Sequence, residues 1–179
     1  LAGAKSVLCL DESQPALDRA RRNAERNGVA GKLATERADC MDALRARSRA
    51  NERFELVIVD PPAFAKSKRE LEGAARGYIE LNRRAIELVQ PGGHVVSASC
   101  SYNVRPELFV EFLRAAALTA KRPAWLVELA GAAADHPQLV TLPESAYLKC
   151  AFLRVGEADS ISANDETRDG DGAPERREA

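Results

Sequence analysis

Short apolar runs alternate with helix-periodic stretches from Ser6 to Val155. Ser6-Val7-Leu8-Cys9-Leu10 predicts a buried strand that ends at an acid, Asp11. Ser13 as N-cap, with Pro15 in the first turn, predicts a helix that closes at Asn27-Gly28. Lys32 to Arg37 is a weaker strand, followed by Asp39 and a short basic helix through Arg45 and Arg47. Phe54 to Val59 is a strong strand stopped by Asp60-Pro61-Pro62. A helix with Tyr78, Leu81, Ala85 and Leu88 on one face then runs to a Pro91-Gly92-Gly93 turn. His94 to Ser99 is the next strand, and Pro106 opens a helix that ends near Lys121. Ala124 to Leu129 and Tyr147 to Val155 complete the strands.

Strands alternating with helices predict an α/β fold built on a parallel sheet with helices on both faces. Ligands in such sheets sit beyond the carboxyl ends of the strands. Asp11, Asp39, Asp60 and Ser99-Cys100-Ser101 each follow an apolar run, so four polar strand ends are expected on one rim.

Composition narrows the class. The chain has 179 residues, 45% hydrophobic and 30% charged, the balance of a soluble globular domain. No apolar run approaches the roughly 18 residues of a transmembrane helix, so no membrane partner is expected. The net charge of −1 conceals an asymmetry. Residues 156–179 carry eight acids against three arginines, with Ile161 as their one large aliphatic residue; they are expected to form a disordered acidic tail. The remaining body, residues 1–155, is mildly basic and is expected to be one domain. The opening Leu1-Ala2-Gly3-Ala4-Lys5 has neither a Met nor a signal pattern and reads as a cut.

Cys9, Cys40, Cys100 and Cys150 are too far apart for a zinc knuckle or a redox pair, so free thiols and a cytoplasmic location are expected. His94 and His136 are too few and too separated to suggest a metal site. Asp11 could accept hydrogen bonds from a ribose diol or could merely cap the helix after it. The glycine-rich loop that usually precedes such an acid is absent: Gly3 is the sole glycine among residues 1–10.

The sharpest feature is Asp60-Pro61-Pro62-Ala63-Phe64. Two prolines after a strand fix the backbone and expose carbonyls, the acid can bind an exocyclic amine, and Phe64 can stack on a base. Lys66, Lys68 and Arg69 follow, suited to phosphate. Alone they would be a solvated loop. Cys100 ends its strand between two serines, where a thiolate nucleophile is as reasonable as a packed thiol. Cys9 and Cys150, in mid-strand, are assigned to the core.

Together these stretches resemble the catalytic part of the bacterial class I S-adenosylmethionine-dependent large-subunit ribosomal RNA cytosine-C5 methyltransferases. The matching segments are LDESQPALDRARRNAERNG, DPPAFAKSKRELEGAARGYIELNRRAIELVQPGG, SASCSYNV and ADHPQLVTLPESAYLKC. The resemblance implies a Rossmann-like methyltransferase sheet whose first strand and glycine loop are missing, and hence an N-terminally truncated copy. It implies S-adenosyl-L-methionine as cofactor, with Asp11 on its ribose, Asp39 and Cys40 along its adenine, and Asp60 between methyl donor and target base. It implies ribosomal RNA as partner and Cys100 as nucleophile, with Pro61, Pro62, Phe64 and the basic triplet on the substrate side. It leaves oligomeric state open. Pro62 and Ala63 stand where other RNA cytosine-C5 methyltransferases have a second cysteine, so no base for the C5 proton is assigned. Two competing readings stand beside it: an exocyclic-amine methyltransferase using the Asp-Pro-Pro corner, and an inactive fragment that binds RNA.

Overall fold

The computed structural model describes residues 3–65 and 67–158. They form two compact units, one up to Glu52 and one from Arg53 onward.

In the first unit, β1 (Val7–Asp11) and β2 (Leu33–Arg37) pair in parallel, with Asp11 opposite Arg37. Helix α1 (Gln14–Arg26) lies between them in sequence and buries Leu17 and Ala24. Its end is local chemistry: Asn27 is the C-cap and Gly28 turns the chain at φ +68°, a conformation that favours glycine. Helix α2 (Cys40–Arg49) buries Ala43 and Leu44 and packs against β1.

The second unit carries a four-stranded sheet in the order β3-β4-β6-β5: β3 (Phe54–Val59), β4 (Val89–Ser99), β5 (Ala124–Ala130) and β6 (Lys149–Val155). Strands β3 and β4 are parallel, whereas β6 runs antiparallel to both β4 and β5. The Rossmann-like α/β class therefore holds, but the expected all-parallel sheet is corrected to a mixed one. The reason is connectivity. Only a loop and a 3₁₀ turn separate β5 from β6, and antiparallel neighbours can be joined without the crossover helix that parallel ones require.

Helix α3 (Leu71–Leu88) buries Ala74, Tyr78, Leu81, Asn82, Ala85, Ile86 and Leu88, and packs on β3, β4 and α4 (Pro106–Ala120). The Pro91-Gly92-Gly93 segment proves to be a bulge within β4 rather than a separating turn: Phe54 pairs with Val89, but Leu56 already pairs with His94. Gly93 is required there, because a Cβ would lie 2.6 Å from the Glu55 carbonyl oxygen.

Behind the sheet, the buried Arg122 guanidinium donates to the carbonyls of Ile86 (2.7 Å), Val89 and Gly156 (2.6 Å from Nη2). Gly156, the first residue assigned to the tail from composition, also donates its N–H to the Pro123 carbonyl at 2.9 Å. The rest of that tail, residues 159–179, lies outside the described residues. Among the described residues no helix is long and apolar enough to cross a membrane.

Candidate active site

In the first unit the polar strand ends arise from local turns. Asp11 closes β1, and its Oδ1 accepts the Ser13 N–H at 2.7 Å; Ser13 in turn caps α1, its Oγ accepting the Ala16 N–H at 3.4 Å. Capping and ligand binding are therefore compatible at Asp11, since a carboxylate offers about four acceptor sites and the turn takes one. Asp39 is the N-cap of α2, its Oδ1 accepting the Asp42 N–H at 2.9 Å, and the residue is exposed. Cys40 opens that helix and directs its thiol to the Leu10 carbonyl at 3.8 Å. Burial, then the carboxylates of Asp11, Asp39 and Glu12, push its pKa up, so it remains a neutral thiol.

Glu12, Arg37, Ala38 and Asp39 line an open depression of about 450 Å³ at this end of β1 and β2. The lining suits the nucleoside half of S-adenosylmethionine: the Glu12 and Asp39 carboxylates are acceptors for a diol and an amine, and Arg37 adds a donor. Of the four cofactor residues expected from the sequence, Asp11, Asp39 and Cys40 lie at this end of the first unit, and Asp60 belongs to the second.

In the second unit, parallel pairing of Val59 with Ser97 places Asp60 and Cys100 at the same end of adjacent strands. Asp60 is exposed, Pro61 half-buried and Pro62 exposed. The corner is tied down by the Ala65 N–H, which donates to Ser101 Oγ at 3.3 Å, and by the Asn103 amide, which donates to the Ala65 carbonyl at 3.4 Å.

Phe64 was expected to offer its ring to a base. In the fold it meets Tyr78 edge-on, with centroids 4.8 Å apart, and lies so close to Gly77 that a Cβ there would be 3.3 Å from the ring, while the residue stays half-buried. Its role in the fold is to seat the corner on α3. Lys66 lies outside the described residues. Residues 68–70 form a 3₁₀ turn on which Arg69 is exposed.

Cys100 is half-buried and its flanks are held rigidly. The Tyr78 hydroxyl hydrogen-bonds Ser99 Oγ at 2.8 Å and Ser101 Oγ at 3.1 Å, and both serines are buried. Cys150, on β6, has its pKa raised by burial and then by the charges of Asp60 and Glu128, which keeps it a neutral thiol. It is half-buried, as is Cys9. Both therefore sit in strands as expected but nearer the surface than core residues.

Two residues escaped sequence reasoning. Tyr78 was placed on the core face of its helix, but its hydroxyl also braces the segment around Cys100. Lys149 was read only as part of a strand. It is 3% exposed, and its Nζ donates to the Ser101 carbonyl at 2.6 Å and the Tyr147 carbonyl at 2.8 Å. A signal existed: Lys149 shares strand parity with Ala151, Leu153 and Val155, which all point inward.

Comparison with known proteins agrees with this geometry. Residues 1–150 match the family of S-adenosylmethionine-dependent methyltransferases. Two curated relatives, both named ribosomal RNA large subunit methyltransferase I, are similar in sequence. The one from Erwinia tasmaniensis is 40% identical over 156 residues, and the one from Aeromonas salmonicida 42% over 154. These alignments cover 87% and 86% of this chain but only 39% of either relative, so the chain spans about two fifths of their length. Among solved structures, SMU.776 complexed with SAH superposes with a TM-score of 0.73 at 20% identity, covering 85% of this chain and 40% of that one. NSun6 from Pyrococcus horikoshii with SFG gives 0.57 at 17% identity, covering 83% and 41%. At such identities the structures speak for the fold. The strand-end acids, the Asp-Pro-Pro corner and the match over residues 1–150 lead to one conclusion: the chain belongs to the S-adenosylmethionine-dependent methyltransferases.

Proposed function

We propose that this chain is the catalytic portion of a cytoplasmic enzyme that methylates C5 of a cytosine in large-subunit ribosomal RNA, with Cys100 as nucleophile. The observation that carries the reading is the placement of Cys100 and Asp60 at one end of β3 and β4, with Cys100 fixed between two serines on the Tyr78 hydroxyl. The names of the two curated relatives support the RNA class.

Cytosine C5 is a poor nucleophile. Addition of the Cys100 sulfur at C6 moves the ring electrons to C5, which then attacks a methyl group. S-adenosylmethionine would supply that methyl as a sulfonium, with Asp11 and Asp39 as the residues that would hold its nucleoside side. Asp60 orients the base through its exocyclic amine, and Pro61 and Pro62 leave carbonyls open toward it. Loss of the C5 proton re-forms the double bond and releases the thiolate. Lys66, Lys68 and Arg69 serve the RNA backbone.

The test replaces the matching segment of the Erwinia tasmaniensis relative with this chain and offers RNA containing 5-fluorocytosine. The chimera should form a covalent adduct, because fluorine cannot leave as a proton, and Cys100→Ser should lose both adduct and turnover. Methylation by the Cys100→Ser chimera at near the parental rate would overturn this reading in favour of exocyclic-amine methylation at the Asp-Pro-Pro corner.

A further inference from the structure

We propose that Lys149 is the positioning residue of the Cys100 thiolate, its ammonium anchored on the Ser101 carbonyl so that a counter-charge stands at the turn carrying the sulfur. The proposal rests on the reading of Cys100 as nucleophile and names what makes that cysteine reactive.

The geometry ties Lys149 to the residues on both sides of Cys100. Ser99, the residue before it, is the cross-strand partner of Lys149. Ser101, the residue after it, accepts the Nζ proton at 2.6 Å. The lysine thus spans the three-residue segment whose middle member is Cys100. A second bond to the Tyr147 carbonyl, at 2.8 Å, fixes the Nζ from the β6 side. The Tyr147 hydroxyl is itself hydrogen-bonded to His136 Nε2 at 3.0 Å, so the loop before β6 is braced as well.

Holding two carbonyls does not require a charge, because a neutral amide could do it. A buried ammonium without a carboxylate is expensive, and among the described residues no carboxylate forms an ion pair with Lys149. The anion that would balance it is the thiolate next door. Burial pushes the Lys149 pKa down to about 8, while the negative charge of Cys100 works in the opposite direction. A lysine so placed moves readily between amine and ammonium. The exchange is balanced through water: Cys100 gives up its S–H proton to solvent and neutral Nζ takes a proton from solvent, leaving a thiolate and an ammonium that attract through space. Elimination at the end of the cycle returns the sulfur to the same counter-charge.

The experiment follows alkylation of each cysteine of the 179-residue chain by iodoacetamide at neutral pH, resolved by peptide mass spectrometry. Lys149→Gln should slow Cys100 about tenfold, because only the thiolate reacts. Cys9 and Cys40 should keep their rates, and Lys149→Arg should restore most of the Cys100 rate. Parental alkylation of Cys100 in Lys149→Gln would overturn the proposal, since the amide can serve the carbonyls but carries no charge. If Lys149→Gln loosens the fold and all cysteines speed up together, the reciprocal measurement decides. In Cys100→Ser, the titration midpoint of Lys149, followed by NMR of its labelled ε-carbon, should fall; an unchanged midpoint would overturn the proposal. The two ideas can fail separately. Slow alkylation in Lys149→Gln without a fluorocytosine adduct in the parent would leave the pair standing and sink the nucleophile. An adduct with full alkylation in Lys149→Gln would sink the pair alone.

Discussion

The two strand-end rims are built on opposite plans. At the end of β1 and β2, Asp11 and Asp39 are held by bonds two and three residues away, and both also serve as turn or cap. At the end of β3 and β4, beside two short bonds within residues 99–104, the ties reach 21 to 48 residues along the chain: Tyr78 to Ser99 and Ser101, Ala65 to Ser101, Lys149 to Ser101. The carboxylates of the first rim are placed by local chemistry, Asp39 exposed and Asp11 half-buried, while longer bonds such as Arg37 to the Glu12 carbonyl tie the backbone around them. The second is set by packing and is buried around its half-exposed sulfur. The edge proposed to hold the cofactor tolerates solvent, whereas the proposed nucleophile gains from neighbours fixed in place.

This contrast can be broken by mutation. The largest effect is expected for Tyr78→Ala, which removes a fully buried ring in contact with Phe64, Phe109 and Phe112 along with both serine bonds. Urea unfolding followed by the fluorescence of Trp125, the sole tryptophan, should show a loss of about 4 kcal/mol. A loss under 1 kcal/mol would mean that the second rim is no better anchored than the first.

Next comes the pH dependence of stability. Lys149 has a lower pKa in the folded state, about 8, than the ordinary value of 10.5. Between those values the unfolded chain binds more protons, so stability rises with pH; the penalty is complete below about pH 8. Cys150 acts in the opposite sense, because its thiol ionises earlier in the unfolded chain. The difference between the parent and Lys149→Met isolates the lysine and should grow by on the order of 3 kcal/mol between pH 8 and 10.5. A flat difference would remove the buried charge from the second rim.

The smallest effect belongs to the first rim. Asp39→Ala should cost about 1 kcal/mol through loss of the α2 cap, measured by far-ultraviolet circular dichroism in urea. A cost near that of Tyr78→Ala would erase the contrast.

The same contrast explains what could be read from the sequence. Ser13, Asp39, Asn27 and Gly28 act on residues a few positions away, so residue type and order suffice to place them. The limits of β3 and the buried face of α3 follow from period alone. The antiparallel run of β6 depends on what the sheet does elsewhere, and no periodicity records direction. Lys149 obeyed the inward parity of β6 but its residue type argued for solvent, and type outweighed parity. The seat of Phe64 was hidden for a related reason: that Gly77 leaves room on α3 for the edge of its ring depends on a residue 13 positions away.

The tie between Arg122 and Gly156 fixes where the folded body can safely be cut. A chain ending at Val155 would delete the carbonyl that receives both Nε and Nη2 of a buried guanidinium, leaving a cation with donors aimed at nothing. Gly156 also sits so tightly that an added Cβ would lie 2.9 Å from Pro123 and 3.0 Å from the Trp125 ring, so a fused tag cannot begin there with any other residue. Proteolytic trimming, tags and fluorescent fusions must therefore leave Gly156 in place, so that its carbonyl still closes the clamp on Arg122.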